Sequence, residues 1–160
     1  MPFDRVGRET ASLARLVRPI PREFLVFHRP SGASFDLEKK SIITSYVLIV
    51  ENEIFSRLHA VDLVKAAGYR AIEASNADEA IAILEARKDI RIVFTDIEMP
   101  GSMDGLKLAR AIRDRWPPIE LILTSGYVDV PENDIPERGL FFSKPYRDRE
   151  IESALQQFAS

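Results

Sequence analysis

Four polar clusters in the chain stand directly behind apolar runs. Asp96 closes the run Ile92-Val93-Phe94-Thr95 and leads into Ile97-Glu98-Met99-Pro100. Glu51-Asn52-Glu53 follows Tyr46 to Val50, Thr124-Ser125-Gly126 follows Glu120 to Leu123, and Ser143-Lys144-Pro145 follows Leu140 to Phe142. Carboxylates beside an amide oxygen suit a hard divalent cation, and Mg²⁺ commonly takes one or two carboxylates, waters and a phosphate. A hydroxyl and an ammonium beside a carboxylate suit the oxygens of a phosphoryl group developing on that carboxylate. These residue types therefore point to phosphoryl transfer to Asp96.

Such a cluster needs a scaffold that brings the ends of distant apolar runs together. Tyr46 to Val50 is continuously apolar, as expected of a strand buried on both faces. A helix is expected from Ile54 to Ala67, with Leu58, Val61 and Val64 inward and Gly68 as its stop. Tyr69 to Ala74 reads as a second strand. Asn76 and Glu79 resemble a capping box opening a helix striped by Ala77, Ala80, Ile81 and Leu84. Ile90 to Thr95 is the third strand, followed by a helix with Gly105, Leu108, Ala109 and Ile112 on one face and Trp116 packing at its end. Glu120 to Thr124 and Leu140 to Ser143 are strands four and five, and Ile151, Ala154, Leu155 and Phe158 line a last helix. Between those two strands Pro131 and Pro136 leave room for barely one helical turn, so the fourth helix is expected to be short or irregular.

Strands alternating with helices predict an α/β fold with a doubly wound, five-stranded parallel sheet. In such sheets the ligand site lies beyond the carboxyl ends of the strands, where strand order reverses. The four polar clusters all fall at those ends.

The chain has 160 residues, enough for one domain with a proper core and an appendage. Residues 1–40 carry eight Lys and Arg against five Asp and Glu, and residues 41–160 carry fourteen against twenty. An acidic main body argues against nucleic-acid binding, which calls for a clustered basic face. No run is long enough to span a membrane, and the first residues lack the pattern of a secretion signal, so a cytoplasmic location is expected. The absence of cysteine excludes disulfides and thiolate chemistry. Residues 1–40 read as a flexible N-terminal extension ahead of a domain at 41–160. Leu13, Leu16 and Val17 favour a short helix there, Phe24 to Phe27 a short strand, and Ser31 to Ser34 a linker.

The motifs Val47-Leu48-Ile49-Val50-Glu51-Asn52-Glu53, Thr95-Asp96-Ile97-Glu98-Met99-Pro100 with Met103-Asp104-Gly105, Leu123-Thr124-Ser125-Gly126, and Phe141-Phe142-Ser143-Lys144-Pro145 occur in one order. In that order and spacing they resemble the receiver domain of two-component response regulators, from about Tyr46 to Phe158. The resemblance implies a flavodoxin-like fold with sheet order 2-1-3-4-5. It implies that Asp96 is the phosphoacceptor, charged from a phosphohistidine of a sensor histidine kinase or phosphotransfer protein. Glu51, Asn52, Asp96 and the backbone carbonyl of Glu98 would hold Mg²⁺. Ser125 and Lys144 would bind the phosphoryl oxygens, Ser125 and Phe141 would form the switch, and the Lys144–Pro145 bond would be cis. Such a chain is not a turnover enzyme, and it acts on a downstream protein partner or as a phosphate sink; a homodimer remains open.

Several residues depart from the family pattern. Asn52 stands where a second acid is usual, which removes a charge from the metal site. Gly101-Ser102 adds a residue to the loop after Pro100, and Gly126 stands where alanine is common. A competing reading is therefore a degenerate receiver that works as a phosphorylation-independent interaction module. A third is a haloacid-dehalogenase-type phosphatase, which needs a second acid two residues after its nucleophile; Glu98 is a poor stand-in. Thr124 could replace Ser125 if the strand slipped by one residue. Glu53 reads as a helix-start acid, and His59 and His28, without partners at ligand spacing, as surface residues.

Overall fold

The computed structural model of the chain describes residues 45–160. The expected helix, strand, linker and His28 within residues 1–40, and the boundary near residue 40, lie outside the described residues. Five strands, β1 (Tyr46–Val50), β2 (Arg70–Ala74), β3 (Ile90–Asp96), β4 (Glu120–Ser125) and β5 (Gly139–Ser143), form one sheet in the order β2-β1-β3-β4-β5, every neighbouring pair parallel. Four helices connect or follow them: α1 (Ile54–Ala66), α2 (Ala77–Ala86), α3 (Gly105–Arg115) and α4 (Asp148–Ala159). The fourth crossover holds only a 3-10 turn, Glu132–Asp134, set between Pro131 and Pro136. Proline removes a helical donor and clashes with the preceding turn, so two of them five residues apart forbid a regular helix.

The central strands are buried on both faces, because alternate residues feed two cores. Leu48, Val50, Val93, Leu121 and Leu123 pack with Leu84, Leu108 and Ile112 of α2 and α3. Val47, Ile49, Ile92, Phe94 and Ile122 pack with Val61, Val64, Ile151 and Leu155 of α1 and α4. Each such side chain contributes roughly 1.5–3 kcal/mol by leaving water. The Tyr69 hydroxyl ties α4 to the end of α1 by donating to the Leu155 carbonyl at 2.9 Å.

Two expectations are corrected. Leu58 does not face inward but is 50% exposed, beside exposed Ile54 and Phe55. The first turns of α1 begin just past the end of β1 and have no strand beneath them, so burial on this helix is carried by Ala60, Val61, Leu63 and Val64. The capping box is displaced: the Asn76 side chain accepts from the Glu79 N–H at 2.9 Å, but the Glu79 carboxylate accepts from both donors of Ser75, its N–H and its hydroxyl, each at 2.8 Å. One oxygen thereby satisfies two groups rather than the Asn76 N–H. Trp116 does pack at the end of α3, with the Arg115 guanidinium 4.3 Å from its ring centroid.

The loop after Pro100 makes room for its extra residue with Gly101 at φ 120°, a value that side chains disfavour, and the Ser102 hydroxyl donates to Asp78 at 2.6 Å. Gly105 is needed for a different reason. A Cβ there would lie 1.9 Å from the carbonyl oxygen of Asp96 and 2.9 Å from the Cα of Ile97. Both obstacles are backbone, so α3 can start beneath the end of β3 only through glycine. We expect Gly105→Ala to destabilise the domain by about 3 kcal/mol, read from urea unfolding; a midpoint equal to that of the wild type would contradict this packing.

Candidate functional site

Sheet order reverses between β1 and β3, and the two carboxylates at their ends meet there. Glu51 follows β1 and is 5% exposed; Asp96 ends β3 and is 6% exposed. Parallel pairing sets Val50 beside Thr95, Asp96 beside Thr124, and Ser125 beside Ser143. The Lys144 N–H donates to the Ser125 carbonyl at 2.7 Å, carrying the register one residue past β5. Lys144 then reaches back across the sheet ends, its ammonium 3.0 Å from Glu51 Oε2 and 3.3 Å from Asp96 Oδ1. The peptide bond into Pro145 is cis.

Two buried carboxylates side by side cannot both be comfortable. Burial, then the Glu51 charge, push the Asp96 carboxyl up to about 6 against the opposing pull of Lys144. Asp96 Oδ1 contacts the ammonium, yet it accepts no properly directed hydrogen bond. Burial works against the Lys144 ammonium, but hydrogen bonding to Glu51 and the charge of Asp96 outweigh it and raise its pKa.

Ser125, rather than Thr124, is the hydroxyl presented to this site. Both are buried in the strand, but it is the Ser125 hydroxyl that donates to the Glu98 carboxylate. That carboxylate also accepts from the N–H groups of Gly126, Tyr127 and Val128 at 3.1, 3.0 and 3.2 Å. Desolvation opposes the Glu98 charge, but Ser125, the Tyr127 and Gly126 amides and Asp96 prevail and hold its pKa down to about 2. Only the backbone carbonyl of Glu98 was expected in the site, so its side chain is an addition. The available signal was the spacing, since residues two apart in extended chain project to one side.

Apart from Phe141, the remaining candidates fall around the same cleft of about 630 Å³. Asn52 is exposed on its wall, with Glu51, Asp96, Glu98, Tyr127 and Lys144. Glu53 is the N-cap of α1, accepting from the Phe55 and Ser56 N–H groups at 3.2 and 2.6 Å. Phe141 is half-buried against the core, paired with Leu123 of β4. Gly126 has space for a Cβ, whose nearest neighbour would be the Lys144 Cβ at 4.0 Å. His59 is a surface residue as expected; its Nε2 lies 3.0 Å from Asp148 Oδ1, and its ring stacks on Tyr146.

No three His, Cys, Asp or Glu side chains among the described residues form a ready metal-binding group. A divalent cation would therefore have two buried carboxylates, amide or carbonyl oxygens, and water, which is a donor set that suits Mg²⁺. The unsatisfied Asp96 Oδ1 fits such a ligand.

The electrostatics make a prediction about stability. Asp96 ordinarily titrates at 3.8 and does so at about 6 in the folded chain, so between those values the folded state holds a proton that the unfolded state lacks. Stability therefore falls as pH rises through that window. We expect Asp96→Asn to stabilise the metal-free protein by roughly 1–3 kcal/mol at neutral pH. The gain should fade toward pH 4, and a gain of equal size at both pH values in urea unfolding would contradict the assignment.

The sequence matches the family model described as the response regulator receiver domain over residues 47–156. It is 27% identical over 114 residues to the response regulator receiver protein CpdR of Brucella abortus, covering 69% of this chain and 93% of CpdR. It is 34% identical over 110 residues to the aerobic respiration control protein ArcA of Escherichia coli K12, covering 68% of this chain. The chain spans only 45% of ArcA and 17% of HoxA, the hydrogenase transcriptional regulatory protein of Cupriavidus necator. Among solved structures, a response regulator receiver protein from Pseudomonas putida superimposes with a TM-score of 0.63 at 29% identity, covering 71% of this chain and 96% of that one. The receiver protein of Sinorhizobium medicae gives 0.67 at 22% identity, covering 72% and 94%, which speaks to the fold alone. With the sheet order, the carboxylates and lysine at its ends, and a match across residues 47–156, the chain belongs to the receiver-domain family of two-component response regulators.

Proposed function

We propose that this chain is a response regulator whose Asp96 accepts a phosphoryl group from a phosphohistidine on a sensor histidine kinase or phosphotransfer protein. The observation that carries the reading is a buried Asp96 carboxylate, paired with Lys144 but short of one hydrogen bond, on the wall of an open cleft. An Asp96 oxygen attacks phosphorus as the bond to the histidine nitrogen breaks, and the imidazole keeps that electron pair and takes up a proton. Lys144 stands within reach of the oxygens of the new acyl phosphate and compensates their charge. Ser125 and the backbone N–H groups of 126–128 supply the neutral donors on the opposite side. Glu51, Asp96, Asn52 and the Glu98 carbonyl are the residues that would hold Mg²⁺, and the ion would supply positive charge to the transferring phosphoryl oxygens.

The phosphorylated chain then signals by altered binding to a downstream protein, or drains phosphate from its kinase. Phe141, beside Leu123 in the strand pair and packed against the same core as the Val130 and Ile135 of the irregular crossover, is the residue that would pass a shift of Ser125 to that surface. Steady turnover of phosphomonoesters is not expected, because the Glu98 carboxylate is committed to Ser125 and three amides rather than free as a general acid. A second reading, an interaction module that works without phosphate, is favoured by that same occupied cradle and by Asn52. Among the described residues no helix is long and apolar enough to cross a membrane.

Incubation with acetyl phosphate and Mg²⁺ separates these readings. We expect acid-labile phosphate to rise to one per chain and stop, with none on Asp96→Asn. No uptake by the wild type at high Mg²⁺ supports the phosphate-independent module, and continuous release supports the phosphatase. Asn52→Asp should tighten Mg²⁺ binding by about tenfold by restoring a charge to the donor set; an unchanged affinity by titration calorimetry would remove Asn52 from the metal site.

A further inference from the structure

The Glu98 side chain does something that the phosphoacceptor reading alone does not require. It is a carboxylate held by the Ser125 hydroxyl and by the N–H groups of Gly126, Tyr127 and Val128. Three consecutive amides and a hydroxyl converging on one anion form a concave donor set, the kind of backbone nest that binds phosphate oxygens. This nest lies in the same cleft as Asp96 and Lys144. We propose that Glu98 is the built-in anion of this nest, holding it in the resting state, and that a phosphoryl group on Asp96 must displace the Glu98 carboxylate to reach Ser125 and the Gly126–Val128 amides.

The inference rests on the reading of Asp96 as phosphoacceptor and adds a residue that sets how readily the reaction proceeds. It also names what the exchange moves. The Val128 N–H donates to the Ser125 hydroxyl oxygen at 2.8 Å as well as to Glu98, so the segment after β4 is pinned through these two side chains. Tyr127 and Val128 are otherwise exposed, at 94% and 47%, and no regular helix follows to hold them. Exchanging a carboxylate that reaches in from the β3 loop for a phosphoryl group on Asp96 changes the anchor of this exposed pair. Gly126 adds no side chain between the nest and Lys144.

Two measurements on the full chain test this. Amide spectra of the unphosphorylated protein should show Gly126, Tyr127 and Val128 protected from exchange, with that protection lost in Glu98→Ala. With Mg²⁺ and acetyl phosphate, Glu98→Ala should label about fivefold faster than wild type. Glu98→Asp keeps the charge but is one methylene shorter, so it separates the displaced contact from simple loss of negative charge. Faster labelling of Glu98→Asp as well supports displacement, and a wild-type rate for Glu98→Asp overturns it in favour of charge alone. Unchanged protection of the three amides in Glu98→Ala overturns the inference outright. Labelled wild type with Glu98→Ala no faster overturns the inference and leaves the phosphoacceptor reading standing. Labelling of Glu98→Ala but not of wild type supports displacement while overturning the phosphoacceptor reading for the native chain, and labelling of neither overturns both.

Discussion

The ammonium of Lys144 between Glu51 and Asp96 is the contact on which the site depends. Two carboxylates buried at adjacent strand ends repel one another, and neither is well solvated. A single cation from the far edge of the sheet makes their proximity tolerable. The sheet order is what permits it, because β1, β3, β4 and β5 run in parallel with their carboxyl ends together. Such an arrangement is not chosen for stability. A buried charge that folding disfavours, compensated by one flexible side chain, is the state in which a carboxylate gains most from a new cationic or phosphoryl partner.

The opposite wall of the cleft is built from neutral donors and shows the complementary economy. Successive N–H groups at the end of β4 have no helix to order them in an irregular crossover, and without a protein acceptor they would face water. Glu98 meets that need from a neighbouring loop. The irregularity imposed by Pro131 and Pro136 and the engagement of Glu98 are thus connected: without a regular helix after β4, the segment is held by a side chain from elsewhere. Chemistry and conformation share the same few atoms.

Most of the scaffold was legible in the sequence because its signals are local. Val47 to Val50 and Ile90 to Thr95 announce buried strands by composition, and Pro131 with Pro136 announces the missing helix. Asp96 and Lys144 could be named as site residues because an apolar run that stops on a charge marks a strand end. Leu58 was misjudged because the periodicity of α1 tells which face is apolar but not where the sheet beneath it stops. The displaced cap at Ser75 and the His59–Asp148 pair depend on side-chain reach across elements, which spacing does not encode. The choice between Ser125 and Thr124 required the register of β4 against its neighbours. The Glu98 side chain was missed for the same reason, since its partners lie 27 to 30 residues away and converge only after folding.

The central claim is that phosphate enters this molecule on the carboxylate of Asp96. Reducing the phosphorylated protein with borohydride converts an acyl phosphate to an alcohol, and peptide mass spectrometry then locates the converted residue. The account predicts homoserine at position 96 and no reduced residue at any other acidic position. Hydroxynorvaline at Glu51 or Glu98, or homoserine at another aspartate, with Asp96 intact, would contradict it.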